Sequence, residues 1–149
     1  FTVKEVFKDN SSSLNLSILC DTSKFSAMWM PNMDGDKIII LNDNHSLKIQ
    51  HSNIMHELAH IIRNHEIPVE SAILCKIYNL HYFNKEHEQE AKHLGGCLQI
   101  TRPGLQWALK QGFSEEEISV YYNASIEMVR FRLNTSGVLI QNYFASKRN

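Results

Sequence analysis

Two histidines and a glutamate stand in the run HELAH at residues 56–60, and their types and spacing suit a metal site. On a helix, residues four apart lie about 40° apart around the axis and roughly 6 Å along it. His56 and His60 are therefore predicted to converge on one tetrahedral zinc ion. Glu57 lies one position round from His56, where its carboxylate can reach a water on the metal without ligating the ion.

This trio predicts hydrolysis of a peptide bond. Zinc lowers the pKa of a bound water, Glu57 accepts the proton as general base, and the oxygen attacks a carbonyl that the ion polarises. Chance alone gives an HExxH run in roughly a few per cent of chains this rich in histidine and glutamate. Its position inside a stretch with helical apolar spacing favours a functional site over a chance match.

A catalytic zinc site needs a third protein ligand and one open position, and carboxylates downstream of HELAH are the candidates. Three candidates precede or open a later helix: Glu86, Glu88 and Glu90. Glu88 shares a helix face with Ala91 and Gly95, whose small side chains let another helix approach closely. We therefore favour Glu88 as the third ligand, with one zinc ion per chain.

The remaining candidates have simpler roles. Glu90 points about 160° away from Glu88 and is expected to be solvated, pairing with Lys92 or His93. His65 follows the HELAH helix and could stand behind the ligands, but a polar residue at a helix end is commoner, and we expect that role. His87 and His93 flank Glu88, and both are left open between solvent and cleft.

Four further side chains are expected to lie outside the site. Cys97 is half a turn off the Glu88 face and suits a buried small hydrophobe better than a zinc ligand. The other three are histidines expected at the surface or in loops, namely His45, His51 and His81.

The elements that must position these residues follow from the apolar pattern. A hairpin is predicted from strands at 25–31 and 37–42 around turn residues 32–36. A helix then runs from Leu47 to Arg63. A second helix is predicted at 69–82, a third from about Lys85, and a turn at 102–104 should end it. The last third is helical, beginning at Leu105 to Lys110, while residues 1–24 give only weak signals.

The C-terminal stretch resembles a helix-turn-helix, with a tight turn at Asn123 and Ala124. Ser114 with Glu117 predicts a capping box for its first helix, and Ser125 predicts an N-cap for its second. A DNA-reading module is the natural rival function. Residues 114–136 hold four Glu and two Arg, however, and that net negative charge opposes phosphate contacts. We expect docking or packing instead, and no direct nucleic acid partner.

Composition limits the alternatives further. A 149-residue chain with 43% hydrophobic and 21% charged residues is typical of a globular protein. The formal net charge of -1 provides no basic field for nucleic acid or anionic membranes. Three cysteines without a CxxC pair favour a reducing compartment, and no membrane span or signal peptide is visible. A cytoplasmic location is expected from the residues present, which begin at Phe1.

These motifs together resemble the ImmA/IrrE family of zinc metallopeptidases over roughly residues 28–136. The resemblance rests on the strand KIIILN at 37–42, HELAH, the following His65, and the run EQEAKHLGGCL at 88–98. It departs from the family pattern at Lys92, where asparagine is usual, and at Thr101, near which a proline often stands. In this family the first glutamate of the last run is the third zinc ligand, which here is Glu88.

The resemblance also implies a fold and a role. It implies a short sheet packed on helices and an intracellular protease of narrow specificity that cleaves a partner helix-turn-helix repressor, switching on stress, mobile-element or defence genes. We predict an α+β, mostly helical fold, with a small sheet on the HELAH helix. Residues 1–104 would form the peptidase core and 105–149 a C-terminal helical segment packed on or continuous with it. A catalytically silent zinc-binding regulator, or a hydrolase of other bonds, remains the alternative, and the oligomeric state is open.

Overall fold

The computed structural model of this chain describes residues 26–31, 34–65, 84–141 and 147. Within these ranges a two-stranded sheet precedes five helices, which confirms the predicted α+β, mostly helical class. The elements are strands β1 (Ala27–Pro31) and β2 (Lys37–Leu41), and helices α1 (Leu47–Arg63), α2 (Lys85–Gln99), α3 (Arg102–Lys110), α4 (Glu115–Tyr121) and α5 (Ile126–Thr135).

The two strands form the predicted antiparallel hairpin, with Ala27 opposite Leu41. The Asn42 N–H donates to the Ser26 carbonyl at 3.0 Å. Because hydrogen-bonded and non-hydrogen-bonded pairs alternate along an antiparallel ladder, the backbone polar groups of Ala27 and Trp29 point away from β2. In the part of the chain that the structure describes, this outer edge of β1 has no further strand beside it.

Helix α1 has the bounds predicted from the sequence and packs against both strands and against α2. Its apolar stripe buries Ala59 and Ile61. The helix ends because Asn64 adopts the left-handed conformation, with φ 54° and ψ 45°. Asparagine tolerates this conformation better than most residues, and it lets the last carbonyls of the helix find donors in the following turn.

Asn84 is the N-cap of helix α2, and its side-chain oxygen accepts from the backbone N–H groups of Glu86 and His87. Its contact with α1 depends on Gly95. A Cβ atom at this position would lie 2.7 Å from the backbone oxygen of Met55 and 3.0 Å from the Cα of His56. Only glycine therefore allows the two backbones to approach so closely, and they do so beside the first histidine of HELAH.

The C-terminal helices are capped largely as the sequence predicts. Ser114 and Glu117 form the reciprocal capping box of α4, and the Ser125 side chain accepts from the backbone N–H of Met128 at the start of α5. Asn123 adopts a positive φ of 46° in the turn between them. One boundary was wrong: α3 starts at Arg102 rather than Leu105, because a proline in the first helical turn needs no N–H partner there.

The C-terminal helices pack around a buried cluster and are tied to α1 by polar contacts. The cluster comprises Ile100, Leu105, Ala108, Ile118, Ala124, Val129, Leu133 and Val138. Along α1, Lys48 Nζ donates to Ser119 Oγ at 3.0 Å, and Ser52 Oγ accepts from the Ser125 N–H at 3.1 Å. The predicted division at 104/105 falls inside α3 and stays a prediction.

Some predictions fall on residues that the structure does not describe. The helix predicted at 69–82, the weak signals in residues 1–24, and His81 all lie outside the described residues. Among the helices described, none has the length and apolar character needed to cross a membrane.

Replacing Gly95 with alanine tests the contact between α1 and α2. The added methyl group meets backbone atoms that cannot rotate away, so we expect Gly95→Ala to lower the free energy of unfolding. Overpacking costs about 1–3 kcal/mol, which outweighs the gain of up to about 1 kcal/mol from better helix propensity. Denaturant unfolding measures the difference, with Gln89→Ala on the exposed side of α2 as control. Equal stability of Gly95→Ala and wild type would contradict the close approach.

Candidate metal centre

Three side chains from two helices meet at the position that the sequence predicts for the metal. The Nε2 atoms of His56 and His60 lie 3.1 Å apart, and the two oxygens of Glu88 lie 3.1 Å from His56 Nε2 and 3.5 Å from His60 Nε2. Ligands at about 2.0–2.1 Å from a tetrahedral ion are separated by about 3.4 Å. The spacing of these donor atoms therefore fits one small cation.

The donor set also fits a divalent metal chemically. Burial, followed by the neighbouring His56 ring, lowers the pKa of His60 well below its ordinary value, so its imidazole stays neutral at pH 7. A neutral imidazole keeps the lone pair that a metal requires. Among the residues that the structure describes, His56, His60 and Glu88 are the one group of three such side chains able to hold an ion. Two nitrogens and a carboxylate leave a tetrahedral position open.

Glu57 lies beside this group without joining it. One carboxylate oxygen, Oε2, accepts from the backbone N–H of Trp29 at 3.0 Å, so strand β1 holds the side chain in place. Burial raises the pKa of Glu57 to about 7, the Trp29 hydrogen bond works against this rise, and the negative charge of Glu88 adds to it. A cation bound between His56, His60 and Glu88 would favour the ionised form of this carboxylate.

A second layer of side chains lies behind His60, and here two predictions were wrong. His65 is buried, with its Nδ1 atom 3.0 Å from His60 Nδ1, and is not simply a polar residue at a helix end. Glu90 is half exposed, but it pairs with Arg63 at 3.0 Å and with His65 Nε2 at 3.1 Å instead of Lys92 or His93. The reason is tertiary: Glu90 faces the end of α1, which carries better partners.

The sequence held only a weak signal for this layer. Glu90 stands two residues after Glu88 and therefore on another face of α2, and His65 lies beyond the last turn of α1. Helical spacing cannot show that both positions converge, because their meeting depends on how α1 and α2 cross. The hydrogen bond from the Trp29 N–H to Glu57 was also missed, because its donor is a backbone group, which the residue type does not reveal.

The metal group opens into a cleft of about 760 Å³. One wall is the outer edge of β1, at Ala27 and Trp29. The opposite wall comes from α2 and α5, where the Lys92 ammonium lies 4.7 Å from the centre of the Phe131 ring. The first turns of α5 also reach the cleft through Met128. Both walls are needed to shape the site, although the sequence predicted chemistry only on α1 and α2.

The remaining histidines separate into two groups. His87 lines the cleft, and its ring stacks on His65 with centroids 4.2 Å apart. His93 and Cys97 lie along a separate shallow groove with Arg63, away from the three ligand candidates. His51 is exposed as predicted and contacts Asn123, while His45 lies in the loop before α1.

The raised pKa of Glu57 predicts a pH effect in the metal-free protein. Between pH 4.5 and about 7, the folded chain holds a proton at Glu57 that the unfolded chain has lost. Stability from this group therefore falls as pH rises through that window. We expect metal-free Glu57→Gln to exceed wild type in stability, on the order of 1–3 kcal/mol, at about pH 8 and to lose the advantage near pH 4.5.

Denaturant unfolding at both pH values measures this difference. The exposed Glu116→Gln on α4 is the control for a general charge effect. The same advantage at both pH values would show that the buried carboxylate is not its cause.

Comparison with known families agrees with the geometry of the site. Residues 18–134 match the model of a peptidase family described as IrrE N-terminal-like domain. The match covers well over half of the chain and includes the hairpin, the HELAH helix and the helix that carries Glu88. No curated protein and no solved structure matches the sequence significantly. The chain belongs to the IrrE N-terminal-like family of metallopeptidases.

Proposed function

We propose that this protein is a zinc-dependent endopeptidase in which His56, His60 and Glu88 hold the metal and Glu57 is the general base. The observation that carries the proposal is the convergence of three donor atoms, mutually within 4.8 Å, beside a half-buried glutamate in one cleft. A structural zinc site would normally be closed by a fourth Cys or His. Three ligands and a neighbouring carboxylate suit catalysis better than a silent site.

The reaction follows from the positions of these groups. When bound, zinc supplies Lewis acidity, which polarises a carbonyl and lowers the pKa of a water. Glu57 accepts the proton of the attacking water through the oxygen not held by Trp29, and later delivers it to the leaving amine. The Trp29 N–H keeps the carboxylate oriented while this happens. Partial burial holds the pKa of Glu57 near the range in which it can both accept and release a proton.

The shape of the cleft supports an extended peptide as substrate. The backbone N–H and C=O of Ala27 and the C=O of Trp29 point from the outer edge of β1 toward the cleft. An extended chain can add to such an edge through backbone hydrogen bonds, largely independent of its side chains. This placement would lay a peptide bond along the metal group, where Glu57 can reach it.

We further propose a narrow choice of substrate, namely a partner helix-turn-helix repressor in the cytoplasm. This choice rests on the family resemblance, which links such peptidases to stress, mobile-element or defence switches. The second wall of the cleft adds apolar side chains, Met128 and Phe131, against which the side chains of a substrate would pack. Such contacts favour some substrate sequences over others.

The rival function, DNA reading by α4 and α5, receives less support. Met128 and Phe131 on the second helix line the cleft, and Val129 is buried in the core. On the exposed face of this helix, the Arg130 guanidinium already pairs with Glu115 at 2.7 Å, so it is not free to hold a phosphate. The acidic balance of residues 114–136 opposes phosphate binding as well.

Replacing the general base while keeping the metal ligands tests the mechanism. We expect Glu57→Gln to retain zinc and to lower cleavage of a repressor substrate by at least about 100-fold, since a neutral amide accepts no proton. His56→Ala should lose the metal and cleavage together. Zinc content by elemental analysis and cleavage by gel assay measure the two effects. Cleavage by Glu57→Gln at the wild-type rate would rule out this mechanism.

The assignment of the third ligand has its own test. Glu88→Ala removes a donor atom 3.1 Å from His56 Nε2, so zinc affinity should fall far more than in Glu90→Ala, whose carboxylate contacts Arg63 and His65 and none of the three ligand candidates. Glu86→Ala, exposed in the first turn of the same helix, is the control and should match wild type. Competition with a chromophoric chelator measures the affinities. Equal zinc retention by the Glu88 and Glu90 variants would remove Glu88 from the ligand set.

A further inference from the structure

We propose that His65 and Glu90 are positioning residues that fix the tautomer of His60, so that its Nε2 atom presents a lone pair to the metal. The inference rests on the proposed metal site and adds a role for two residues outside it. Its basis is an unbroken series of contacts: His60 Nδ1 to His65 Nδ1 at 3.0 Å, and His65 Nε2 to Glu90 Oε2 at 3.1 Å.

The direction of each hydrogen bond follows from the metal. A ligating Nε2 atom carries no proton, so the proton of neutral His60 must lie on Nδ1 and be donated. His65 Nδ1 then has to accept, which places the proton of His65 on Nε2. That proton is donated to the Glu90 carboxylate. An ionised carboxylate has no proton of its own and therefore acts only as an acceptor. One arrangement of protons therefore satisfies every contact from His60 to Glu90.

The opposite arrangement of protons is energetically unfavourable, whether or not the protein is catalytically active. If His65 carried its proton on Nδ1, its unprotonated Nε2 would face the Glu90 carboxylate, and two acceptors would oppose each other at 3.1 Å. The His65 side chain is only 6% exposed, so water can hardly repair the mismatch. A buried polar group without a hydrogen-bond partner destabilises the folded protein. Glu90 thus selects the His65 tautomer, and His65 selects that of His60.

Local structure holds this series of side chains in place. The left-handed residue Asn64 reverses the chain, and the His65 N–H donates to the His60 carbonyl at 3.0 Å, which brings the His65 ring back against His60. His87 stacks on the other side of His65 with an angle of 4° between the rings. Arg63 holds Glu90 at 3.0 Å. Each ring is therefore oriented by contacts that do not depend on a substrate.

A pair of His65 variants tests the inference through zinc affinity. His65→Phe keeps an aromatic ring that can stack on His87 but cannot accept from His60, so zinc affinity should fall by about 10–100-fold. His65→Asn places a carbonyl oxygen close to the position of Nδ1 and should recover much of the loss. Chelator competition on the whole chain measures both. Wild-type affinity in His65→Phe, or an equal loss in both variants, would overturn the role of His65 as acceptor.

Nuclear magnetic resonance of the zinc-loaded protein reports the tautomer directly. With ¹⁵N-labelled histidine, we expect a slowly exchanging proton on His60 Nδ1 in wild type and in His65→Asn, and fast exchange of that proton in His65→Phe. Glu90→Ala should shorten its lifetime partly, while Glu86→Gln on the exposed face should leave it unchanged. A His60 proton that exchanges equally in wild type and in both His65 variants would overturn the inference even where zinc affinity falls.

These measurements separate the inference from the proposed function. Neither zinc affinity nor proton exchange requires cleavage of a peptide. If wild type binds zinc and the His65 variants behave as wild type, the positioning role fails while the peptidase proposal stands. If wild type takes up no zinc at all, both fail, and the metal titration of wild type shows this before any variant is compared.

Discussion

The close approach of helices α1 and α2 is the constraint on which the candidate site depends. Two histidines on one helix supply two donor atoms, but the third comes from Glu88 on the other helix. The contact is possible because Gly95 leaves room for the backbone of Met55 and His56. A larger side chain there would push α2 outward and separate Glu88 from the imidazoles. The packing between the two helices therefore also fixes the geometry of the metal group.

Burial by several elements sets the electrostatic environment of the site. Glu57 and His60 both lose solvent, and each responds by favouring its neutral form: the pKa of the carboxyl rises and that of the imidazole falls. Desolvation alone would leave buried polar atoms without partners, but the fold provides them. The Trp29 N–H holds Glu57, and His65 backed by Glu90 holds His60. The His60 ring is therefore neutral, and both His60 and Glu57 are oriented, before a metal arrives.

The C-terminal helices complete the site rather than standing apart from it. Their buried cluster anchors α4 and α5, and contacts from Ser119 and Ser125 to α1 set where they lie. As a result the first turns of α5 form one wall of the cleft. A segment whose sequence pattern resembles a DNA-binding motif thus lines the cleft beside the metal group.

The sequence by itself determined the local features: the hairpin, the full extent of α1, the capping box of α4, the N-cap of α5, and the side chains that converge as metal-ligand candidates. These features follow from the periodicity of apolar residues, from capping residues and from the spacing of side chains along a single helix or strand. All of these are local interactions that extend over a few residues. Tertiary structure decided the partners of His65 and Glu90, the Trp29 contact to Glu57, and the wall contributed by α5. Each of those depends on how separate elements cross. The small residues Ala91 and Gly95 on one face of α2 predict that another helix can approach there, but they specify neither which helix it is nor how the two helices cross.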